Sequence, residues 1–248
     1  VSPVLQNRNS RLFYIDFSSD ALNLGGSAFA QALNALGTSA PTVKSAEYFA
    51  KTFNAVQSLV DKSLLLAAHD VSAGGLVTTL LELTFANTKG GIDISTNGFK
   101  EADLIKILFA ENPALVIQVA EKNVKKVLSL LNKECVSAIE LGTTAAERCL
   151  TINHNGDEYM MFIDHLRDVW FESSYLLDKK QSGEAGALSR FTNYKKQPLR
   201  YILPKGFTGK AADLGISGFS HKPSGIKAAI IREKGVNGDR EMAYSLYY

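Results

Sequence analysis

Asp70 and Ser72 stand in the run Ala67-Ala68-His69-Asp70-Val71-Ser72-Ala73-Gly74-Gly75-Leu76, where an apolar strand meets an Asp-x-Ser-x-Gly-Gly turn and then a long apolar helix. This pattern sets a carboxylate, a hydroxyl and unpaired backbone N–H groups at one helix start. The first turn of a helix carries orphan donors and a partial positive charge, so the arrangement suits a phosphate, and the carboxylate suits the phosphate's metal ion. Asp70 is therefore a candidate metal ligand, and Ser72, Gly74 and Gly75 are candidate phosphate contacts. A purely structural reading uses the same residues, with Ser72 as the N-cap and the glycines allowing close packing of strand and helix. His69 points to the opposite face of the strand from Asp70 and so does not share an ion with it. It reads as a hydrogen-bonded histidine at a sheet end.

A second turn of similar composition, Leu24-Gly25-Gly26-Ser27, joins a β-rich segment at 11–17 to a helix at 28–33. Gly25, Gly26 and Ser27 offer backbone donors to an anion, with phosphate the first choice, while a tight turn capped by Ser27 accounts for the same residues.

Behind these turns stand the elements that must hold them. Residues 45–62 form an amphipathic helix in which Phe49, Phe53, Val56 and Val60 recur at three- and four-residue spacing, which predicts the face packed on the sheet. A strand at 64–68 feeds the Asp70 turn, and a helix at 75–87 leaves it. On that helix Leu76, Val77, Leu80, Leu81, Leu83 and Phe85 fill one wide arc, leaving Thr78, Thr79, Glu82 and Ala86 for the rest. Glu82 accordingly belongs to a polar face and not to catalysis. Further on come an alternating strand at 91–95, a short helix at 101–109, and Glu111-Asn112-Pro113 as turn chemistry before the buried-type strand 114–119. A helix at 124–131 precedes strands at 137–141, 148–153 and 159–163, the last two joined by Asn155-Gly156, a hairpin-type turn. A final helix at 164–180 carries Trp170, Phe171 and Tyr175.

Interleaved helices and strands ending in a run of strands predict an α+β fold, a mixed sheet with helices packed on it, over residues 1–180. Residues 181–225 are rich in glycine, lysine and proline, with isolated apolar groups such as Phe191, Tyr201, Ile202, Leu203 and Phe219, and read as an ordered wrapping linker. At 226–231 an apolar strand begins, followed by Gly235-Val236-Asn237-Gly238 and a helix start at Asp239. Residues 226–248 thus read as the opening strand, loop and helix of an incomplete α/β domain.

The chain has 248 residues, enough for a sizeable core, and its formal net charge of +2 advertises neither nucleic acid nor an anionic membrane as partner. Its two cysteines, Cys135 and Cys149, have no close second ligand and read as buried thiols. No targeting segment or membrane-length apolar run stands out, which sets the expectation of a cytoplasmic protein.

The order Leu24-Gly25-Gly26-Ser27, His69-Asp70-x-Ser72-x-Gly74-Gly75-Leu76, Leu81-Glu82, Leu108-Phe109-Ala110-Glu111 and Val116-Ile117-Gln118-Val119 resembles the second AIR-synthetase-type C-terminal domain of large phosphoribosylformylglycinamidine synthases. So does Leu166-Arg167-x-x-Trp170-x-Glu172-x-Ser174-Tyr175. The stretch Ile231-Arg232-Glu233-x-Gly235-Val236-Asn237-Gly238-Asp239-Arg240-Glu241-Met242 resembles the start of that family's glutamine amidotransferase domain.

The resemblance implies the step of purine biosynthesis in which formylglycinamide ribonucleotide, ATP and glutamine give the amidine, ADP, phosphate and glutamate. It implies a Mg2+ and ATP or ADP site, auxiliary in this half, with Asp70 and Ser72 near the Mg-nucleotide and an AIR-synthetase-type N-terminal domain supplying most contacts. Val71 and Ala73 stand where the family often carries a basic and an acidic residue, so Asp70 has no neighbouring carboxylate. The partners implied are the remaining domains of the same polypeptide, the N-terminal domains and the glutaminase. No catalytic residue is assigned to this chain, since the glutaminase nucleophile and its partners would lie beyond Tyr248. The chain alone is expected to lack both activities and to expose an apolar face where a partner domain would pack. The alternatives are a scaffold module whose Asp70 turn binds nothing, and another ATP-dependent member of the superfamily, such as AIR synthetase or a thiamine-phosphate kinase.

Overall fold

In β1, Ser10–Asp16, side chains alternate between two interiors, Leu12 and Tyr14 on one side and Phe13 and Ile15 on the other. A strand buried on both faces needs helices on both sides. The computed structural model describes residues 1–195, 202–214, 225–233, 235 and 237–247. Tyr201, Phe219, Val236 and Tyr248, which figure in the expected linker and third segment, lie outside the described residues. By internal contacts the chain divides into two units, Val1–Tyr194 and Lys195–Tyr248.

The first unit is built on a seven-stranded mixed sheet. After β1 come β2 (Leu65–Val71), β3 (Gly91–Ser95), β4 (Ala114–Ala120), β5 (Ala138–Ala145), β6 (Cys149–His154) and β7 (Asp157–Phe162). Their spatial order is β2-β4-β1-β5-β3-β6-β7. Every neighbouring pair is antiparallel except β3 and β6, which run parallel with Ile92 beside Leu150 and Ile94 beside Ile152. The expected α+β mixed sheet is what forms, and the Asn155-Gly156 hairpin has both residues at positive φ, 52° and 98°.

The helices of this unit are α1 (Ala28–Ala32), α2 (Ala46–Asp61), α3 (Gly75–Phe85), α4 (Leu104–Phe109), α5 (Val124–Lys133), α6 (Ile163–Ser182) and α7 (Glu184–Asn193). One core joins α3, α4 and the start of α6 to the sheet through Leu76, Leu80, Leu83, Ile107, Val116 and Ile163. The other joins α2 and α5 to the opposite face through Val56, Leu59, Val127, Leu131, Ile117 and Val119. Removing each such buried aliphatic side chain from water contributes on the order of 1.5–3 kcal/mol.

Four expectations differ from what forms. In α2 the buried positions are Thr52, Ala55, Val56 and Leu59, while Phe49, Phe53 and Val60 stand at the exposed margin. Small residues let the helix approach the sheet, and Phe49 instead meets Phe17 edge to face at 5.4 Å between centroids. On α3, Thr79 is buried and not part of a polar face, because its hydroxyl finds acceptors in the backbone. The segment 181–225 opens with a helix, since α7 returns along α6 after Gly183 (φ 85°). It is held by stacked Phe171–Tyr194 and Tyr175–Phe191 rings and by the two-pronged Arg190–Asp178 pair. Residues 226–231 form no strand, with Ile226 84% and Ile231 94% exposed. A strand needs a neighbour to pair with, and the described sheet pairs none of its strands with this segment. The helix expected at Asp239 does form, as α8 (Asp239–Tyr247).

Candidate functional site

The Asp70 turn hangs from the end of β2. Val71 still pairs with Ala114 of β4, and the chain then leaves the sheet. Gly74 and Gly75 both take left-handed φ, 89° and 71°, which brings the chain round into α3. This conformation is costly for any residue with a Cβ. At Gly75 a Cβ would also lie 2.6 Å from the Leu108 carbonyl oxygen and 2.7 Å from Phe109 Cα, so the start of α3 sits directly against the α4 backbone.

The Asp70 backbone is fixed from two sides. Its carbonyl oxygen accepts the Thr79 hydroxyl at 3.0 Å and lies 2.8 Å from His69 Nδ1. His69 Nε2 is 3.3 Å from Glu82 Oε2, and Glu82 Oε1 accepts the Trp170 indole N–H at 3.2 Å. His69 is thus the hydrogen-bonded sheet-end histidine expected of it, and Glu82 is its partner. The Asp70 carboxylate itself is 72% exposed and lies 3.6 Å from His69 Nδ1, so at the end of the sheet the two side chains come together and are not kept on opposite faces as strand alternation predicts.

Ser72 does not cap α3. The N-cap is Gly74, and Ser72 serves through its carbonyl oxygen, which accepts the Gly75 N–H at 2.9 Å. Ser72 and Ala73 are exposed residues, and the Ser72 hydroxyl and both backbone N–H groups make no hydrogen bond among the described residues. Gly74 differs, because its N–H donates to Glu111 Oε1 at 2.8 Å. Of the expected phosphate contacts here, Gly74 and Gly75 shape the turn with their donors engaged, and Ser72 keeps its donors free.

The other glycine turn closes on itself. The Gly25 N–H donates to the Ser39 carbonyl, that of Gly26 to Leu36, and that of Ser27 to Leu24. Ser27 Oγ accepts the Ala30 N–H and donates to the Leu24 carbonyl, as an N-cap does. The phosphate contact expected of Gly25, Gly26 and Ser27 therefore has no donor left to make it. Ala28 N–H, the next along, donates to the same Glu111 Oε1 at 2.7 Å.

Glu111 and Asn112, which the sequence marks as turn residues and, for Glu111, as the end of a family-like motif, organise this region. The buried Asn112 amide donates to Ser18 Oγ and the Ala21 carbonyl, fixing the loop that leads to Gly25. Asp20 staples the same loop to Thr42 and Lys44. The Lys44 ammonium first, then the Thr42 hydroxyl, holds its carboxyl well below the usual carboxylate range.

No group of three or more His, Cys, Asp or Glu side chains is set to hold a metal among the described residues. Mg2+ asks for less, often one or two protein carboxylates with phosphate oxygens and water completing six. The exposed Asp70 carboxylate fits that demand as a single protein ligand. Cys149 is buried as expected, whereas Cys135 is exposed, in the turn after α5 at φ 54°. No described helix is long and apolar enough to cross a membrane.

Residues 16–155, more than half of the chain, match the family described as AIR synthase related protein, C-terminal domain. The human phosphoribosylformylglycinamidine synthase is 34% identical across 98% of this chain and 18% of that protein. The Arabidopsis thaliana protein named as a probable chloroplastic/mitochondrial phosphoribosylformylglycinamidine synthase is 31% identical across 95% of this chain and 16% of its own length. The chain thus spans less than a fifth of these curated relatives. Among solved structures, T. maritima PurL complexed with ATP superposes with a TM-score of 0.54 at 14% identity, over 67% of this chain and 27% of that one, a likeness of fold. The matched segment and the shared mixed sheet agree, and the chain belongs to the AIR synthase related family as its C-terminal domain.

Proposed function

We propose that this chain is part of an ATP- and glutamine-dependent ligase that converts formylglycinamide ribonucleotide to formylglycinamidine ribonucleotide in purine biosynthesis. The observation that carries this reading is the match along nearly the whole chain to phosphoribosylformylglycinamidine synthases at 31–34% identity. Residues 226–248 are then the start of the glutaminase domain, and the remaining domains of a longer cytoplasmic polypeptide are its partners. Val169, Trp170, Leu176 and Leu177 on α6, with Tyr159, Met160 and Phe162 on β7, are exposed and supply apolar surface for such domains.

Within that enzyme the chain supplies one wall of an auxiliary Mg-nucleotide site. Asp70 would hold Mg2+, which when bound neutralises and orients the nucleotide phosphates. The Ser72 hydroxyl and the Ser72 and Ala73 N–H groups receive a phosphate oxygen, and Gly74 and Gly75 give the turn its shape. The chain by itself turns over neither substrate nor glutamine.

The test is a calorimetric titration of Mg-ADP into the chain, with Asp70→Ala as control. Binding that the substitution abolishes supports the reading. Equal affinity in both proteins removes Asp70 from the site and favours the scaffold reading, in which α3 and its turn serve only to brace the sheet.

A further inference from the structure

One oxygen of Glu111 accepts two backbone donors from turns far apart in sequence, Ala28 at 83 residues' separation and Gly74 at 37. We infer that Glu111 is a positioning residue, a carboxylate that locks the 24–28 turn and the Asp70–Gly75 turn together and so fixes where Ser72 and Ala73 present their donors. The inference rests on the reading that this second turn receives a nucleotide phosphate.

Three features support it. Charged acceptors make the stronger hydrogen bonds, and a carboxylate at the N-terminal end of α3 also faces the positive end of that helix. Of the two residues it restrains, Gly74 belongs to a glycine pair, the most mobile backbone available, so the shape of that turn depends on contacts from outside it. The segment that carries Glu111 is itself seated there, with the Leu108 carbonyl and Phe109 backbone against Gly75 on one side and Asn112 bonded to Ser18 and Ala21 on the other. Both N–H groups converge on Oε1 alone, so the positioning role uses one oxygen of the carboxylate.

The role predicts a particular pattern of loss and rescue. Glu111→Ala leaves both N–H groups without their acceptor and lets the glycine turn wander, so Mg-ADP should bind about tenfold more weakly or worse. Glu111→Gln keeps an acceptor oxygen without the charge and should fall between. Added formate, a free carboxylate small enough for the vacated place, should recover part of the affinity lost in Glu111→Ala and change the parent little.

The experiment is calorimetry of Mg-ADP with the whole chain, these two variants and Asp70→Ala, paired with backbone amide exchange. Loss in Glu111→Ala with partial formate rescue, and faster exchange at both Ala28 and Gly74 while β1 and β4 stay protected, is the result expected. If Asp70→Ala weakens binding and Glu111→Ala does not, the inference falls while the nucleotide reading stands. If the parent chain does not bind Mg-ADP, that reading loses its support, and exchange alone decides the lock. Unchanged exchange at Ala28 and Gly74 in Glu111→Ala overturns it.

Discussion

Two turns of nearly the same composition, Leu24–Ser27 and Asp70–Gly75, behave in opposite ways. In the first, every N–H from Gly25 to Ser27 is used inside the chain, and the serine hydroxyl caps its own helix. In the second, the glycines are equally engaged, but Ser72 and Ala73 keep their donors and Asp70 keeps its charge in solvent. A Gly-Gly-Ser or Ser-x-Gly-Gly pattern therefore locates a tight strand-to-helix connection and does not by itself say whether an anion can reach it. What separates the two is where the serine lies. In the first it follows the glycines and falls at the N-cap, and in the second it precedes them and is left outside the helix.

The comparison is most exposed at Gly75. Gly75→Ala forces a Cβ to 2.6 Å from a backbone oxygen at φ 71°, and thermal or urea unfolding should show a loss of about 3 kcal/mol. Gly26 has a similar φ of 75° but open space around it, so Gly26→Ala should cost only about 1 kcal/mol of conformational strain. Equal losses at the two sites would mean that packing on α4 is not what fixes the second turn.

Removing the cap by Ser27→Ala should cost about 1 kcal/mol in the same unfolding measurement, with no change in nucleotide affinity. Ser72→Ala is its mirror image. It should leave stability within about 0.5 kcal/mol and weaken Mg-ADP in calorimetry. A Ser72 variant that unfolds early, or a Ser27 variant that loses nucleotide, would reverse the assignment of the two turns.

Acid should distinguish them more gently. The Asp20 staple belongs to the closed turn's loop, and its carboxyl is lowered by the Lys44 ammonium and Thr42. A depressed value in the folded state means that the contribution is complete above the ordinary aspartate value of about 3.9 and is lost as pH falls below it. Unfolding midpoints of the parent and Asp20→Asn should differ at neutral pH and converge in strong acid. A constant gap across that range would show that the ion pair carries none of the difference.

Much of this was open to reading from local pattern. Strand Gly91–Ser95 alternates cleanly, Asn155-Gly156 announces its hairpin, and the apolar run before Gln118 marks a central strand. These signals are local, because side-chain period and turn chemistry act over a few residues. The errors come where distant contacts decide. Phe49 and Phe53 look like the packing face of α2 until the sheet selects the small Thr52 and Ala55 instead. Helix α7 has Ala187, Arg190 and Phe191 at helical spacing, but the glycine and lysine around it mask the signal until α6 provides rings to stack on. In the site, Asp70 and Ser72 could be singled out from order alone. Glu111 and Thr79 could not, since their roles depend on backbone groups brought near by the fold and not on any neighbouring residue.

Helix α3 is gripped electrically at both ends. Glu111 stands at its amino end, and at the other the Arg148 guanidinium reaches the Thr84 carbonyl while that of Arg167 reaches Phe85 and Asn87. Negative charge at the donor end and positive charge at the acceptor end both favour the helix as placed, so an axial slip would lose attraction twice over. Asp164 ties the two guanidinium groups to each other through ion pairs of 3.0 Å. The helix thus acts as a strut of fixed length between the Asp70 turn and the base of α6. A push on either end of α3 is met by the whole strut, and the Gly74 end of the turn is held against it by Glu111.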